Sequence, residues 1–302
     1  MQLRQMGKNG PQISAIGLGA WPIGGGMGPV AEAEAIATVR AVIDCGITFL
    51  DTAQAYRSSE DTLGKALKDG YRERCFLATK VSGRYARQDI ELAMNNSLRA
   101  LGVDHVDLYQ IHSWNPHYPV AESIEAMLRL QESGKTRFIG VSNYNAAQMR
   151  EALQFGLFRT NQPRYNLFNR EIETEDLLFC EQNGIGVLAH SPLAKGLLTG
   201  KYRPGHVFPD ADERSGFGPF QGENFNRHIA IADRLGALAA DKNLSLVEFA
   251  IAWILQRKEI SCVLVGAKNE TQVKEHLGAV GVTFSLEELA HIDAILLADK
   301  CH

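Results

Sequence analysis

Four residues with chemically reactive side chains lie at or just beyond the ends of apolar segments. Three separate apolar segments end at, or just before, Asp51, Lys80 and His112. Tyr56 lies in the loop after Asp51. Because successive parallel strands of a barrel end at the same face, we expect these side chains to converge there. A carboxylate, a phenol, an amine and an imidazole can together polarise a carbonyl group and give it a proton.

The elements that would position these residues alternate regularly along the chain. Candidate strands cover residues 16–19, 48–51, 76–80, 106–111, 138–142, 160–162, 186–190 and 262–266. Candidate helices cover residues 31–44, 60–68, 88–100, 120–132, 146–155, 173–182, 245–256 and 270–277. Alternation of this kind implies parallel strands with right-handed crossovers. Eight such units in about 250 residues predict a (β/α)8 TIM barrel of the α/β class rather than an open sheet.

Two further features lie outside this alternation. Residues 3–14 contain Asn9-Gly10 between two short extended stretches, which predicts an N-terminal β-hairpin. A long irregular stretch, residues 196–226, follows the seventh strand, and we expect it to overhang the mouth of the barrel as a lid. The chain shows no break in composition, so residues 1–302 are expected to form a single domain.

The composition narrows the classes of function. The 302 residues are 45% hydrophobic, and 35 acidic against 31 basic residues give a formal net charge of −4 without long runs of either sign. This balance argues against nucleic acid or an anionic membrane as the main partner. The N-terminus lacks the apolar core of a signal peptide, so a cytoplasmic location is expected. The scattered cysteines predict free thiols rather than disulfides or a metal site; they are Cys45, Cys75, Cys180, Cys262 and Cys301.

Eight short segments occur in an order and spacing typical of one enzyme family. They are GLGAW (17–21), FLDTAQAY (49–56), SEDTLG (59–64), ATK (78–80), DLYQIH (107–112), IGVSN (139–143), SPL (191–193) and GLLTGKY (196–202). Together they resemble the aldo-keto reductases over almost the whole chain, and the last segment resembles the bacterial branch. The resemblance implies an NAD(P)(H)-dependent oxidoreductase that interconverts aldehydes or ketones and alcohols, with NADPH as cofactor and a small carbonyl compound as substrate.

The resemblance also implies a role for each of the four reactive residues. Tyr56 would protonate the carbonyl oxygen, and Lys80 would depress the pKa of that phenol. Asp51 would keep Lys80 charged, and His112 would donate a second hydrogen bond to the oxygen. The alternatives are structural: a helix cap for Asp51, a solvent-exposed Lys80 and a His112 packed beneath a loop.

The cofactor contacts implied by the resemblance come from four strand ends. Ser142, Asn143 and Gln162 would bind the nicotinamide carboxamide. Backbone amides after the seventh strand would bind the pyrophosphate, and a later loop would bind the adenosine end. The full set of cofactor residues is Ser142, Asn143, Gln162, His190, Ser191, Leu193, Gly196, Leu197, Lys201, Gly266, Lys268, Gln272, Glu275 and His276.

Several residues depart from the pattern of the family. His190 stands where many members stack a Tyr on the nicotinamide, and its protonation below about pH 6.5 would weaken binding of the oxidised cofactor. Gln272 stands where many NADPH-specific members have an Arg, which leaves Lys268 as the main 2′-phosphate ligand and predicts a moderate NADPH preference. Trp21 and Trp114 are expected to form walls of the substrate pocket.

Three alternatives remain open from the sequence. Some family members act as cofactor-binding regulatory subunits of channel-type assemblies. A barrel lysine such as Lys80 could form a Schiff base, as in aldolases. The physiological direction could be alcohol oxidation, and an oligomer is possible.

Overall fold

The computed structural model describes residues 1–209 and 212–298. Eight parallel strands form a closed barrel, in which the last barrel strand of the chain pairs with the first and the others follow in chain order. The barrel strands are β3 (Ile16–Gly19), β4 (Phe49–Asp51), β5 (Phe76–Val81), β6 (Val106–Ile111), β7 (Thr136–Ser142), β8 (Thr160–Gln162), β9 (Gly186–His190) and β10 (Ile260–Val265). The predicted (β/α)8 barrel is confirmed.

The predicted hairpin is also present and covers one end of the barrel. It pairs β1 (Leu3–Gln5) with β2 (Gln12–Ser14) in antiparallel register. Met6 and Ile13 pack with buried side chains of the barrel strands, including Phe49 and Leu188. Ser261 Oγ, near the start of β10, donates to Gln5 O at 2.9 Å. The hairpin therefore covers the amino-terminal ends of the strands and leaves the carboxyl-terminal face for the site.

Helices surround the barrel on its outside. They are α1 (Glu32–Asp44), α2 (Ser59–Ala66), α3 (Arg87–Leu101), α4 (Val120–Glu132), α5 (Ala146–Ala152), α6 (Asp176–Asn183), α7 (Gly222–Asp241), α8 (Leu246–Leu255), α9 (Glu270–Leu277) and α10 (Leu286–Ala298). Each of the eight predicted helices overlaps an observed one, but the prediction missed α7 and α10.

Local sequence signals fix several helix ends. The Ser245 side chain accepts from the backbone N–H of Glu248, whose carboxylate accepts in return from the N–H of Ser245, a capping box at the start of α8. The α3 and α6 helices end at Gly102 and Gly184, both in the left-handed region with φ values of 66° and 68°.

The segment between β9 and α7 (residues 191–221, of which 210 and 211 lie outside the described residues) has a small core of its own. Three short 3-10 helices interrupt it, over Ala194–Thr199, Glu213–Gly216 and Gly218–Phe220. Its buried apolar residues pack with the start of α7 in a separate cluster of Leu197, Tyr202, Phe208, Phe220, Phe225 and Ile229. The predicted irregular stretch therefore ends earlier than expected, because its last five residues form the first turn of α7.

Candidate active site

A buried ion pair lies at the carboxyl ends of β4 and β5. Lys80 is fully buried, and its ammonium donates to Asp51 Oδ2 and, at 2.9 Å, to Thr52 O. Asp51 Oδ1 accepts from Gln110 Nε2 at 3.1 Å and from Gln162 Nε2 at 2.9 Å. Both charges are thus paired and hydrogen-bonded, which is the condition under which the interior of a protein retains them.

The pair keeps Lys80 positively charged. Burial by itself would lower the pKa of the Lys80 ammonium, but the attraction of Asp51 and of the Tyr56 phenol outweighs it, and the pKa is raised. The alternative of a solvent-exposed Lys80 is wrong, because the side chain is fully buried.

Tyr56 lies in the turn after β4, against this pair. The Lys80 Nζ atom is 4.9 Å from the centroid of the Tyr56 ring, and the His112 ring lies edge-on to that ring at 5.5 Å. Burial raises the pKa of Tyr56, and the charge of Lys80 offsets this only in part. Lys80 thus acts on the pKa of Tyr56 in the expected direction, but burial is the larger effect, so the net pKa is raised. The phenol stays protonated near neutral pH, which is the form a proton donor needs.

His112 directly follows β6 and is neutral. Its Nδ1 lies 2.6 Å from Ser82 Oγ. Burial, helped by the charge of Lys80, lowers the pKa of His112 to about 3. When Ser82 donates this hydrogen bond, the proton of the neutral ring is on Nε2, from which it can be donated to a carbonyl oxygen.

A cleft of about 680 Å³ opens over these residues at the carboxyl-terminal face of the barrel. Most of the predicted site residues line it, namely Trp21, Asp51, Tyr56, His112, Gln162, His190, Ser191, Leu193, Gly196, Lys201, Gly266, Lys268, Gln272, Glu275 and His276. The cleft is long enough to extend from Tyr56 to the start of α9, so one elongated ligand can contact both.

Five predicted residues do not line the cleft. Lys80 lies behind Asp51 and Tyr56. Ser142 is buried and donates to Gln162 O at 2.8 Å. Leu197 belongs to the cluster between β9 and α7. Trp114 packs edge-on against Tyr144, with ring centroids 5.2 Å apart, so the structure places it beside the barrel core rather than on the cleft.

Asn143 is the fifth of these residues, and it holds a ring that does line the cleft. Its Oδ1 accepts from His190 Nε2 at 2.8 Å, and its Nδ2 donates to His112 O at 3.1 Å. Asn143 has a left-handed φ of 56°, which Asn tolerates better than most residues.

His190 is held on both ring nitrogens. Its Nδ1 lies 2.9 Å from Ser191 Oγ, while Nε2 bonds to Asn143. Burial and the nearby charges of Lys80 and Arg164 lower the pKa of His190 to about 3. The expectation that this ring becomes protonated near pH 6.5 is therefore wrong for the free protein, because the site opposes a further positive charge.

Basic side chains gather at the other end of the cleft, next to α9. Asn269 caps this helix by accepting from the Gln272 N–H at 3.1 Å, and Gln272 Oε1 accepts from the Lys268 N–H at 2.8 Å. The Lys268 ammonium donates to Met27 O. Burial lowers the pKa values of Lys201 and Lys268, and the charge of Arg214 adds to both shifts. The cluster thus has an excess of positive charge that an anion would relieve.

Sequence reasoning missed three basic residues that line the cleft: Arg164, Lys195 and Arg214. Arg214 is held by two hydrogen bonds from its guanidinium to Asp212, at 2.8 Å and 2.5 Å, and by one to the Tyr202 hydroxyl at 2.6 Å. It lies in the irregular segment, where no periodicity indicates which side chains turn inward. Lys195 directly precedes the motif residue Gly196, and Arg164 lies two residues after the predicted site residue Gln162, so proximity in sequence was the available signal.

A compact backbone turn forms the wall between the two ends of the cleft. Ala194 and Lys195 have φ values of 46° and 55°, and Gly196 has a φ of 104°. A Cβ on Gly196 would lie 3.2 Å from the Tyr202 hydroxyl in addition to the strain of that φ, so glycine is required there. Successive backbone amides in turns of this kind are suited to binding phosphate groups.

Within residues 1–209 and 212–298, no group of three or more His, Cys, Asp or Glu residues is arranged to hold a metal ion. The cysteines of this part, Cys45, Cys75, Cys180 and Cys262, are free thiols, and Cys301 lies outside it. None of the described helices combines the length and apolarity needed to cross a membrane.

Comparison with known proteins identifies the family. The model of the Aldo/keto reductase family matches residues 15–297. The chain belongs to the aldo/keto reductase family. It is 37% identical to the aldo-keto reductase YhdN of Bacillus subtilis, over 98% of this chain and 94% of that protein. It is 33% identical to an NADH-specific methylglyoxal reductase of Escherichia coli, over 90% of this chain and 91% of that protein.

A solved structure agrees with this assignment. The glycerol dehydrogenase of Gluconobacter oxydans superposes with a TM-score of 0.87 at 33% identity, over 98% of this chain and 95% of that one. As an aldo-keto reductase, the protein is a nicotinamide-dependent oxidoreductase that interconverts carbonyl compounds and alcohols. The comparisons give no support to a channel subunit. A Schiff-base aldolase needs a neutral lysine, whereas Asp51 keeps Lys80 charged.

Proposed function

We propose that this aldo-keto reductase uses NADPH to reduce small aldehydes and ketones, with Tyr56 as the proton donor. The observation that carries the proposal is the position of the Tyr56 phenol, between the buried Lys80–Asp51 pair and His112 in a deep cleft. The reaction needs a proton donor and a second hydrogen-bond donor at the same carbonyl oxygen, and Tyr56 and His112 supply them.

The proton path follows from this geometry. When bound, the reduced cofactor would supply the hydride that the carbonyl carbon accepts, which would leave negative charge on the carbonyl oxygen. Tyr56 gives its proton to that oxygen, and neutral His112 donates a hydrogen bond to it. The Lys80 ammonium stabilises the phenolate that remains, and Gln110 and Gln162 hold Asp51 in place behind Lys80.

The residues of the cleft fit a dinucleotide. His190 offers a ring beside the catalytic end, the 191–196 turn offers backbone amides, and the start of α9 offers a helix N-terminus. We assign the nicotinamide to the His190 end and the adenosine to the α9 end.

The preference for NADPH over NADH is inferred from the basic cluster next to α9. Burial lowers the pKa values of Lys201 and Lys268, the charge of Arg214 adds to both shifts, and Asp212 is paired with Arg214. A 2′-phosphate would complete the balance of charge. The preference is expected to be moderate, since Gln272 adds no charge and a relative is named as NADH-specific.

The substrate is inferred to be a small, polar carbonyl compound. The relatives are named for methylglyoxal and glycerol, both three-carbon molecules. Trp21 lies edge-on to Tyr56 at 5.1 Å and forms one wall of the cleft beside the reacting centre. We place the reaction in the cytoplasm, since free cysteines are typical of a reducing compartment.

Replacement of Lys268 tests the assignment of the cofactor. Titration of nicotinamide fluorescence with NADPH and with NADH should show tighter binding of NADPH. Lys268→Ala should weaken NADPH by roughly tenfold, as expected for one lost phosphate contact, and NADH much less. Lys274→Ala is the matched control, because Lys274 lies in the helix that follows Lys268 but pairs with Glu270 on the surface.

Two results would contradict the proposed cofactor assignment or the proposed reaction. Equal weakening of the two cofactors by Lys268→Ala would show that the 2′-phosphate binds elsewhere. Failure of the wild-type protein to oxidise either cofactor with a panel of short aldehydes and ketones would contradict the proposed reaction itself.

A further inference from the structure

Glu213 connects two walls of the cleft that come from distant parts of the chain. Its Oε1 accepts a hydrogen bond from Trp21 Nε1 at 2.9 Å and one from Lys195 Nζ at 2.7 Å. Trp21 and Lys195 both line the cleft, and the side chains of Lys195 and Glu213 are 27% and 29% exposed. The carboxylate is therefore at the rim, where its field reaches the cleft.

The indole that Glu213 holds lies next to the reacting centre. The Trp21 ring is edge-on to Tyr56, and the Arg57 guanidinium lies 5.9 Å from the centroid of the Trp21 ring. Arg57 is itself fixed by a hydrogen bond of 2.8 Å to Gly25 O. The Trp21 indole thus contacts the Glu213 carboxylate through its N–H group and lies near the Arg57 guanidinium on the face of its ring.

The charge of Glu213 reaches the proton donor as well. Burial raises the pKa of Tyr56, and the carboxylates of Asp51 and Glu213 add to that effect. A charge that acts on the phenol also acts on any charged group of a substrate bound beside it.

We propose that Glu213 sets the charge preference for substrates, by neutralising Lys195 and fixing Trp21 so that acidic carbonyl compounds are disfavoured relative to neutral ones. The inference rests on the proposed carbonyl reductase function. Without the carboxylate, Lys195, Arg57 and Arg164 would leave the rim strongly positive. Glu213 touches neither cofactor nor substrate in this account and is a positioning residue.

A purely structural role is the alternative, in which Glu213 only ties the 191–221 segment to the loop after β3. Loss of such a tie would affect all substrates alike. A role in charge selection affects a charged and a neutral substrate differently, even when they have the same shape.

The test compares 4-formylbenzoate with its neutral isostere 4-formylbenzamide at saturating NADPH and low ionic strength. Glu213→Gln retains an acceptor for Trp21 but removes the charge. It should raise the ratio of kcat/KM for the acid over the amide by about three- to tenfold, mainly through KM for the acid, as expected for one partly screened unit charge. At 1 M salt most of this change should disappear, since the screening length falls to about 3 Å.

Three further variants complete the experiment. Glu213→Asp keeps the charge and should stay near the wild-type ratio, whereas Lys195→Met should lower the ratio. Glu223→Gln is the control, because Glu223 is an exposed carboxylate outside the cleft lining. An unchanged ratio in Glu213→Gln, with both substrates affected equally, would overturn the inference while leaving the proposed function intact. Reduction of short aldehydes but of neither aryl aldehyde would overturn the inference alone, whereas failure on the aryl aldehydes and on the short aldehydes and ketones together would overturn both.

Discussion

Among single residues, burial decides the protonation state more than residue type does. Lys80 keeps its charge in the interior because Asp51 accompanies it. Tyr56, His112 and His190 remain neutral because the charged form of each would be poorly solvated next to that pair. The site therefore holds one fixed cation behind a neutral donor surface, which suits the stabilisation of a developing oxyanion.

The neutral state of His190 gives a prediction about cofactor binding. Since the pKa of His190 is about 3, the ring should stay uncharged from pH 5.5 to 8. The ratio of the dissociation constants for NADP⁺ and NADPH should then show no step near pH 6.5, in the wild type or in His190→Tyr. Fluorescence titration of both proteins across this range measures the ratio. A step near pH 6.5 that His190→Tyr removes would mean that the ring does become protonated there.

At the scale of elements, the segment between β9 and α7 combines a buried cluster with an exposed stretch. Phe208 and Phe220 are buried, whereas Val207 is 83% exposed. The glycines of this segment limit its stiffness, and Lys195 and Arg214 are among its residues that line the cleft.

This arrangement predicts where a protease cuts and what slows it. A protease of broad specificity should cut the free protein within residues 201–209, and saturating NADPH should slow this cut several-fold. Phe208→Ala removes a ring from the cluster and should accelerate the cut. Analysis of the fragments by mass spectrometry locates the site. Equal rates with and without cofactor would exclude a lid that orders on binding.

The sequence predicted the barrel because its signals are local. Apolar runs of strand length ended in polar residues, and glycines such as Gly102 and Gly184 marked helix ends. The convergence of Asp51, Tyr56 and His112 then followed from parallel topology alone. The predicted cofactor residues rested on the family resemblance instead, and most of them line the cleft.

What the sequence did not predict depends on tertiary contacts. Arg214 and Glu213 lie in a segment without periodicity. Arg214 is positioned by Asp212 and Tyr202. Glu213 is positioned by Trp21, which is 192 residues away in the sequence. The net pKa directions of Tyr56 and His190 depend on burial, which no single motif encodes. Trp114 follows a strand end as Trp21 does, but its ring packs on Tyr144 instead of the cleft.

For the whole molecule, histidines that stay neutral in the folded state predict that stability falls with acidification. His112, His190 and His276 have folded pKa values lowered to about 3, 3 and 4, below the unfolded value of about 6.5. Below pH 6.5 the unfolded chain therefore binds more protons, and the free energy of unfolding decreases as the pH falls towards these values. Each histidine contributes up to about 1.4 kcal/mol per pH unit.

Urea denaturation between pH 5 and 7 measures this slope. His276→Asn should reduce the dependence by about one proton, because His276 is buried at the end of α9. An unchanged slope in His276→Asn would show that this residue titrates in the folded protein as it does in the unfolded chain.

The role of Tyr56 is tested most directly by Tyr56→Phe, which removes the phenolic hydroxyl and keeps the ring between Lys80, His112 and Trp21. The account predicts that kcat for aldehyde reduction falls by about 100- to 10,000-fold, as for loss of a general acid, while the dissociation constant for NADPH changes little. Single-turnover rates and fluorescence titration of the same preparation give both numbers. A decrease in kcat of less than tenfold with NADPH binding intact would contradict the assignment of Tyr56 as the proton donor.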